Sequence, residues 1–145
     1  MAGVDAKDAR IVEILMGNAR TPFTRIAKEL HVSESLIRKR VKRLEKNAVI
    51  RKYSAVVDNR KLGMEVDALV GVDVAVEHYL AAVEKLKALP EVKFIATCSG
   101  DHQIIVEVWA KDMAELRQFV SGKIENIEGV NRVCPAILLE KIKEH

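Results

Sequence analysis

Apolar positions in residues 33–46 recur with a helical period. Ile37, Val41 and Leu44, with Ala48 beyond them, fall at i, i+4, i+7 and i+11 and predict one buried face. Ser35, Arg38, Lys39, Lys42 and Lys46 fall largely on the opposite side. Two shorter periodic runs come first. From Asp5 or Ala6 to about Gly17, Ile11, Ile14 and Leu15 make a stripe, with Val12 and Met16 at its margin. Asp5 is placed to cap this helix, Asp8 sits in its first turn, and Gly17-Asn18 ends it. Thr21 and Pro22 fit the N-cap and first position of a second helix that turns Phe23, Ile26, Ala27 and Leu30 inward. His31-Val32 makes a turn, and Ser33 caps the third helix. Three helices of about 12, 8 and 14 residues with a tight turn before the last is helix-turn-helix spacing.

After Ala48 the period changes. Residues 49–57 read as an extended, strand-like exit, and residues 58–63 as a turn-rich hinge. Alternation from Val66 to Val76 predicts a long strand. A helix follows from Tyr79 to Leu89, with Leu80, Val83 and Leu86 as its stripe and Ala82 as a further inward candidate, closed by Pro90. Residues 92–98 and 103–110 make a hairpin about the turn Ser99-Gly100-Asp101-His102. A helix over residues 113–124 turns Met113, Leu116, Phe119, Val120 and Ile124 inward, and residues 130–139 make the last strand. The order βαββαβ is the ferredoxin-like pattern. The fold class is therefore α+β: a helix-turn-helix domain of winged type over residues 1–50, a strand and hinge over 51–64, and a ferredoxin-like sensor and oligomerisation domain over 65–145. One sheet face lacks helices in this topology. Leu69, Ile105 and Trp109 point to it, which predicts self-association.

Charge sharpens the division. Residues 1–62 carry 15 Lys/Arg against 7 Asp/Glu, or +8, and residues 63–145 carry 9 against 14, or −5. A basic half suits phosphates, and the acidic half would be repelled by them. No run approaches a membrane span, and the first residues lack the pattern of a signal peptide. Cys98 and Cys134, the only cysteines, read as reduced core residues on opposite sheet edges, too far apart to bridge. These features place the chain in the cytoplasm.

The third helix joins an apolar stripe that docks it to a body with a polar, basic face that a DNA major groove accepts. Ser35, Arg38, Lys39 and Lys42 are the candidates for the groove. Arg43 and Lys46 are placed for phosphate, with Ser33, Thr24 and Arg25 as further DNA contacts. Arg40 lies nearer the buried flank and is expected to brace the domain. The four histidines have no metal-ligand spacing, no cofactor motif is present, and Ser99, Asp101 and His102 are sequence neighbours without triad geometry.

The chain resembles the leucine-responsive/asparagine-regulator (Lrp/AsnC) family of transcription factors from Asp5 to Lys143. Asp8-Ala9-Arg10-Ile11-Val12-Glu13-Ile14-Leu15 is similar to the family's opening helix. The stretch from Ile26-Ala27-Lys28-Glu29-Leu30 to Arg40-Val41-Lys42-Arg43-Leu44-Glu45 is similar to its helix-turn-helix, and Ser99-Gly100-Asp101 to its effector loop. The resemblance implies double-stranded DNA as partner, a homodimer or a higher oligomer such as an octamer, no catalytic activity, and an amino-acid effector between subunits near the glycine loop. Thr97, Ser99, Gly100, Asp101, His102 and Gln103 are the candidate effector residues. By chemistry alone the same loop reads as a plain hairpin turn. The chain departs from the pattern at Ala48, where the family often has Gly, at Gln103, where it often has Asp, and at Val133 and Pro135, where it often has Thr. Two other functions fit parts of the sequence: an architectural protein that wraps DNA, and a haem-precursor decarboxylase on the same two-domain plan.

Overall fold

The computed structural model describes residues 3–144 and divides the chain into two compact units, with Val57–Ile142 forming the second. The first unit is three helices, α1 (Ala6–Gly17), α2 (Phe23–Leu30) and α3 (Glu34–Lys46). Ile11, Leu15, Ile26, Ala27, Ile37, Val41 and Leu44 form its core. Burying each large aliphatic side chain stabilises by about 1.5–3 kcal/mol.

Local chemistry sets the helix ends. Asp5 Oδ1 accepts from the Asp8 N–H at 2.8 Å and Asp8 Oδ2 accepts from the Asp5 N–H at 3.2 Å, a reciprocal cap on α1. Ser33 Oγ caps α3 by accepting from Leu36 N–H at 3.2 Å. Thr21, expected to cap α2, instead donates its hydroxyl to Asn18 O at 2.7 Å, and Pro22 holds the cap position without a side-chain bond. The Thr21 hydroxyl found a carbonyl within its own turn.

Both α2 and α3 close in the same way. Val32 N–H reaches Ala27 O and His31 N–H reaches Lys28 O, with His31 left-handed at φ 56°. Val49 N–H reaches Leu44 O and Ala48 N–H reaches Glu45 O, with Ala48 at φ 57°. This paired-bond closure usually recruits glycine. Ala48 is therefore an exposed turn residue, and the apolar stripe of α3 ends at Leu44. Residues 51–58 make no ladder among the described residues, so the expected strand over 49–57 is replaced by a turn and a segment without strand pairing. Strand-like alternation needs a neighbouring strand before it becomes a strand.

The second unit carries β1 (Val66–Val74), α4 (Tyr79–Lys87), β2 (Val92–Thr97), β3 (Ile104–Ala110), α5 (Met113–Phe119) and β4 (Val130–Ile137). Its four strands are antiparallel neighbours in the order β2-β3-β1-β4. Val70, Val72, Ile104, Val106 and Val108 face the helices and pack with Ala82, Leu86, Leu116, Phe119 and Ile124. Pro135 lies in β4, an edge strand, where a missing N–H is tolerated.

Three expectations need correction here. Leu80 is 78% exposed, while Ala82 lies inside, because the face of α4 that meets the core is the row of Ala82 and Leu86 with Tyr79 and Val83 beside it, and Leu80 falls off that face. Met113, in the first turn of α5, is exposed, and the α-helix gives way to a π turn at Val120–Ile124 that keeps Val120 and Ile124 buried. Cys98 is exposed and Cys134 half-buried, so neither is a core residue. Cys98 follows the end of β2, and Cys134 lies in the edge strand β4.

Candidate nucleic-acid interface and sensor loop

The outward side of α3 presents Ser33, Ser35, Leu36, Arg38, Lys39 and Lys42 around one groove of ≈ 470 Å³. Thr24, Arg25, Arg43 and Lys46 are also exposed. The amphipathic period brings this about: Ile37, Val41 and Leu44 anchor one side, so the intervening bases turn to solvent.

These side chains differ in freedom. Ser33 is occupied as the cap of α3, with the Ser35 hydroxyl 3.2 Å away. Arg38 donates from Nη2 to Glu34 Oε1 at 2.6 Å, and its guanidinium lies 5.6 Å from the centre of the Phe23 ring. Arg40 donates from Nη1 to Asp5 Oδ2 at 2.7 Å and Asp8 Oδ1 at 2.9 Å, which is a bracing geometry. Arg43, expected at phosphate, donates from Nη2 to Asp8 Oδ2 at 2.5 Å while half of its side chain stays exposed. The Arg40 bond, with the Asp8 N–H, holds the Asp5 carboxyl down at about 2. Tyr53 donates its hydroxyl to Glu45 Oε1 at 2.9 Å; partial burial and the Glu45 charge push the phenol up to about 12.

The loop between β2 and β3 is tied to β1 more firmly than a plain turn requires. Gln103 Oε1 accepts from Val74 N–H at 2.8 Å, next to the register shift at Asp73/Val74, and Gln103 N–H donates to Asp73 Oδ1 at 3.1 Å. The His102 ring lies against Gly71, with Nδ1 3.1 Å from Asp73 Oδ2. Cys98 donates from its backbone N–H to Gln103 O at 2.8 Å and from Sγ to His102 O at 2.9 Å. Arg132 Nη1 stands 3.4 Å from Asp101 Oδ1 and 3.7 Å from Asp73 Oδ2. Burial raises the Asp73 carboxyl, but the Gln103 N–H, His102 and Arg132 outweigh it and hold it below its usual range. The six loop residues thus separate. His102 and Gln103 turn inward, whereas Thr97, Ser99, Gly100 and Asp101 are exposed, Gly100 at φ 118°.

Two charged clusters were not foreseen. Asp8 is fully buried beneath Arg40 and Arg43. On the helix-free sheet face, Lys141 Nζ reaches Glu107 Oε1 at 2.6 Å and Asp67 Oδ2 at 3.0 Å. Burial pushes the Asp67 carboxyl up, with Glu107 adding to it. Glu107, also raised by burial, is brought below its usual range by bonds with Lys141, Asp67 and Trp109. The alternation of β1 placed Asp67 on that face but gave no sign of a partner in the tail.

Comparison with known proteins follows the same division. Residues 4–45 match the AsnC-type helix-turn-helix domain and residues 67–145 the Lrp/AsnC ligand binding domain. The HTH-type transcriptional regulator LrpA of Pyrococcus horikoshii is 45% identical over 140 residues, covering 97% of this chain and 99% of that protein. The solved structure of AsnC from E. coli superposes with a TM-score of 0.86 at 28% identity, over 98% of this chain and 96% of that one. A transcriptional regulator of Neisseria meningitidis, solved as an L-Met complex, has the same fold at a TM-score of 0.88 and 22% identity, over 97% of this chain and 92% of that one.

Proposed function

The chain belongs to the Lrp/AsnC family of transcriptional regulators, and from that premise we propose that it binds operator DNA as a homodimer through α3 and responds to an amino acid at the loop of residues 97–103. One observation carries the DNA reading: Ser35, Arg38, Lys39 and Lys42 surround a single exposed groove on one side of a helix anchored by its other side. Lys39 and Lys42 are the bases of this groove with no carboxylate within salt-bridge distance among the described residues, and they are assigned to base edges or phosphates directly. Arg38 joins them on exchanging Glu34 for a guanine edge. Thr24, Arg25 and Lys46 take flanking phosphates. Two such helices, related by a two-fold axis, enter successive major grooves and call for a pseudo-palindromic operator. Assembly of dimers into a higher oligomer, such as an octamer, completes the reading, and its place of action is the cytoplasm.

The match to a ligand-binding domain supports a small-molecule effector. Ser99, Gly100 and Asp101 supply exposed polar groups, and the left-handed Gly100 leaves backbone close to any bound molecule. His102 and Gln103 hold the loop to β1, so ligand contact and loop position are linked through them. An effector acts by favouring one assembly over another.

The test is fluorescence anisotropy with duplex DNA from upstream of the chain's own gene and with scrambled duplex of equal length, across a salt series. A preference for the native duplex of about 10³ or more with a steep salt slope is expected. Equal affinity for the two duplexes overturns sequence-specific regulation and leaves an architectural, DNA-wrapping protein.

A further inference from the structure

Asp8 has no exposed surface, yet it lies in the first turn of α1 and meets two arginines from α3, 32 and 35 positions away in the chain. One oxygen accepts from Arg40 Nη1, and the other accepts from Arg43 Nη2 and from the Asp5 N–H. Both oxygens are thereby engaged, and the Asp5 carboxylate completes the group from the outside through Arg40. Arg40 is mostly buried, whereas 49% of the Arg43 side chain is exposed. Arg43 stands one helical turn beyond Lys39 and beside Lys42 on α3.

We infer that Asp8 is a positioning residue for DNA recognition, holding Arg43 in one orientation at the rim of the reading face and cancelling the charge that would otherwise make it a general phosphate seeker. The inference rests on the DNA-binding role of α3 proposed above. A guanidinium carries five donors in a rigid fork, so an arm committed to Asp8 leaves others directed outward at a fixed angle. Its ordering is complete before DNA arrives, which removes a cost from binding. Asp5, Asp8, Arg40 and Arg43 together sum to zero charge. Arg38 is matched by Glu34, which leaves Lys39, Lys42 and Lys46 as the bases of α3 with no carboxylate in salt-bridge distance among the described residues. The network thus trades general attraction to DNA for a defined geometry, the difference between adhering to any duplex and selecting one.

The test compares the full chain with Asp8→Asn and Arg43→Lys, using the native and scrambled duplexes across a salt series, with thermal melts alongside. Asp8→Asn keeps the volume and removes the charge. Its affinity for scrambled DNA should rise about three- to tenfold at low salt, with a log–log salt slope steeper by about one, the increment for one further phosphate neutralised. The preference for the native duplex should fall about tenfold as Arg43 loses its fixed angle. A lower melting temperature with unchanged slope and preference would mean that Asp8 only holds the fold, and overturns the inference. Should Asp8→Asn fail to fold, Arg43→Lys decides: it retains the charge at a half-exposed position but loses the fork, and native-duplex affinity should drop several-fold with scrambled-duplex affinity unchanged. Unchanged native-duplex affinity in that variant overturns the inference. If the unaltered chain fails to discriminate between duplexes, both readings fall; if it discriminates and Asp8→Asn discriminates equally, this one falls alone.

Discussion

The imidazole of His102 covers Gly71 so closely that a β-carbon at position 71 would lie 2.4 Å from its Cδ2. Asp73, two residues along the same strand, fixes the ring through Nδ1 at 3.1 Å. A central β1 position is therefore glycine because a loop side chain occupies the space. Gly71→Ala should destabilise the second unit by about 1–3 kcal/mol through overpacking. His102→Ala in the same chain should recover most of that loss, an interaction measured by a double-mutant cycle in urea. A Gly71→Ala protein as stable as the parent would show that the ring yields freely.

Ala48 closes α3 in a left-handed conformation at φ 57°. An alanine there costs roughly 1 kcal/mol relative to glycine, set against the greater freedom glycine has when unfolded. Ala48→Gly should stabilise the three-helix unit by about 0.5–1 kcal/mol, seen as a rise of about 2–4 °C in its melting transition. A fall in melting temperature would show that the turn does not carry the strain assigned to it.

Tyr53 and Tyr79 are the two tyrosines, so Tyr79→Phe leaves a single phenol to follow at 295 nm. Its titration midpoint should be near 12, held there by partial burial and by Glu45. Because the folded value lies above the ordinary 10, this contribution to stability is complete below pH 10 and lost as pH rises through 12. Glu45→Gln should move the midpoint back toward 10. A midpoint at 10 in the parent would remove the Tyr53–Glu45 bond from the account.

The Asp5 carboxyl works at the opposite end of the scale. Its folded value of about 2, against an ordinary 3.8, comes chiefly from the bond donated by Arg40. The stabilising tie between α1 and α3 is complete above pH 3.8 and is lost as pH falls toward 2. In melts between pH 5 and pH 2, as round limits about those values, Asp5→Asn should flatten part of the acid decline. Parallel declines in parent and variant would contradict the shift.

The three helices were legible in the sequence because each is amphipathic with its own cap, and Ile11, Ile26, Ile37, Val41 and Leu44 are buried as their period demands. The ferredoxin-like order was legible from the alternation of β1 and β3. Legibility failed where a partner far along the chain decides. Nothing near Asp8 announces Arg40 and Arg43, and nothing near Asp67 announces Lys141. Leu80 misled because the buried stripe of α4 runs through Tyr79, Ala82, Val83 and Leu86, at i, i+3, i+4 and i+7, and Leu80 falls beside it. At the candidate interface the sequence located the basic helix face, but it ranked Arg43 with Lys46, and only the buried carboxylate separates them.

The strand order bears also on how the chain is made. β1 sits inside the sheet between β3 and β4, and Ala68 pairs with Ile137, nearly the whole length of the second unit away. The three-helix unit completes its core by Leu44. During synthesis the helices can pack on the ribosome while the sheet still waits for its last strand, since pairing across a long intervening loop is slow and late. A nascent chain thus holds a finished reading head before the unit that would govern it has closed, and in that interval β1 offers its β4 edge to any other strand within reach.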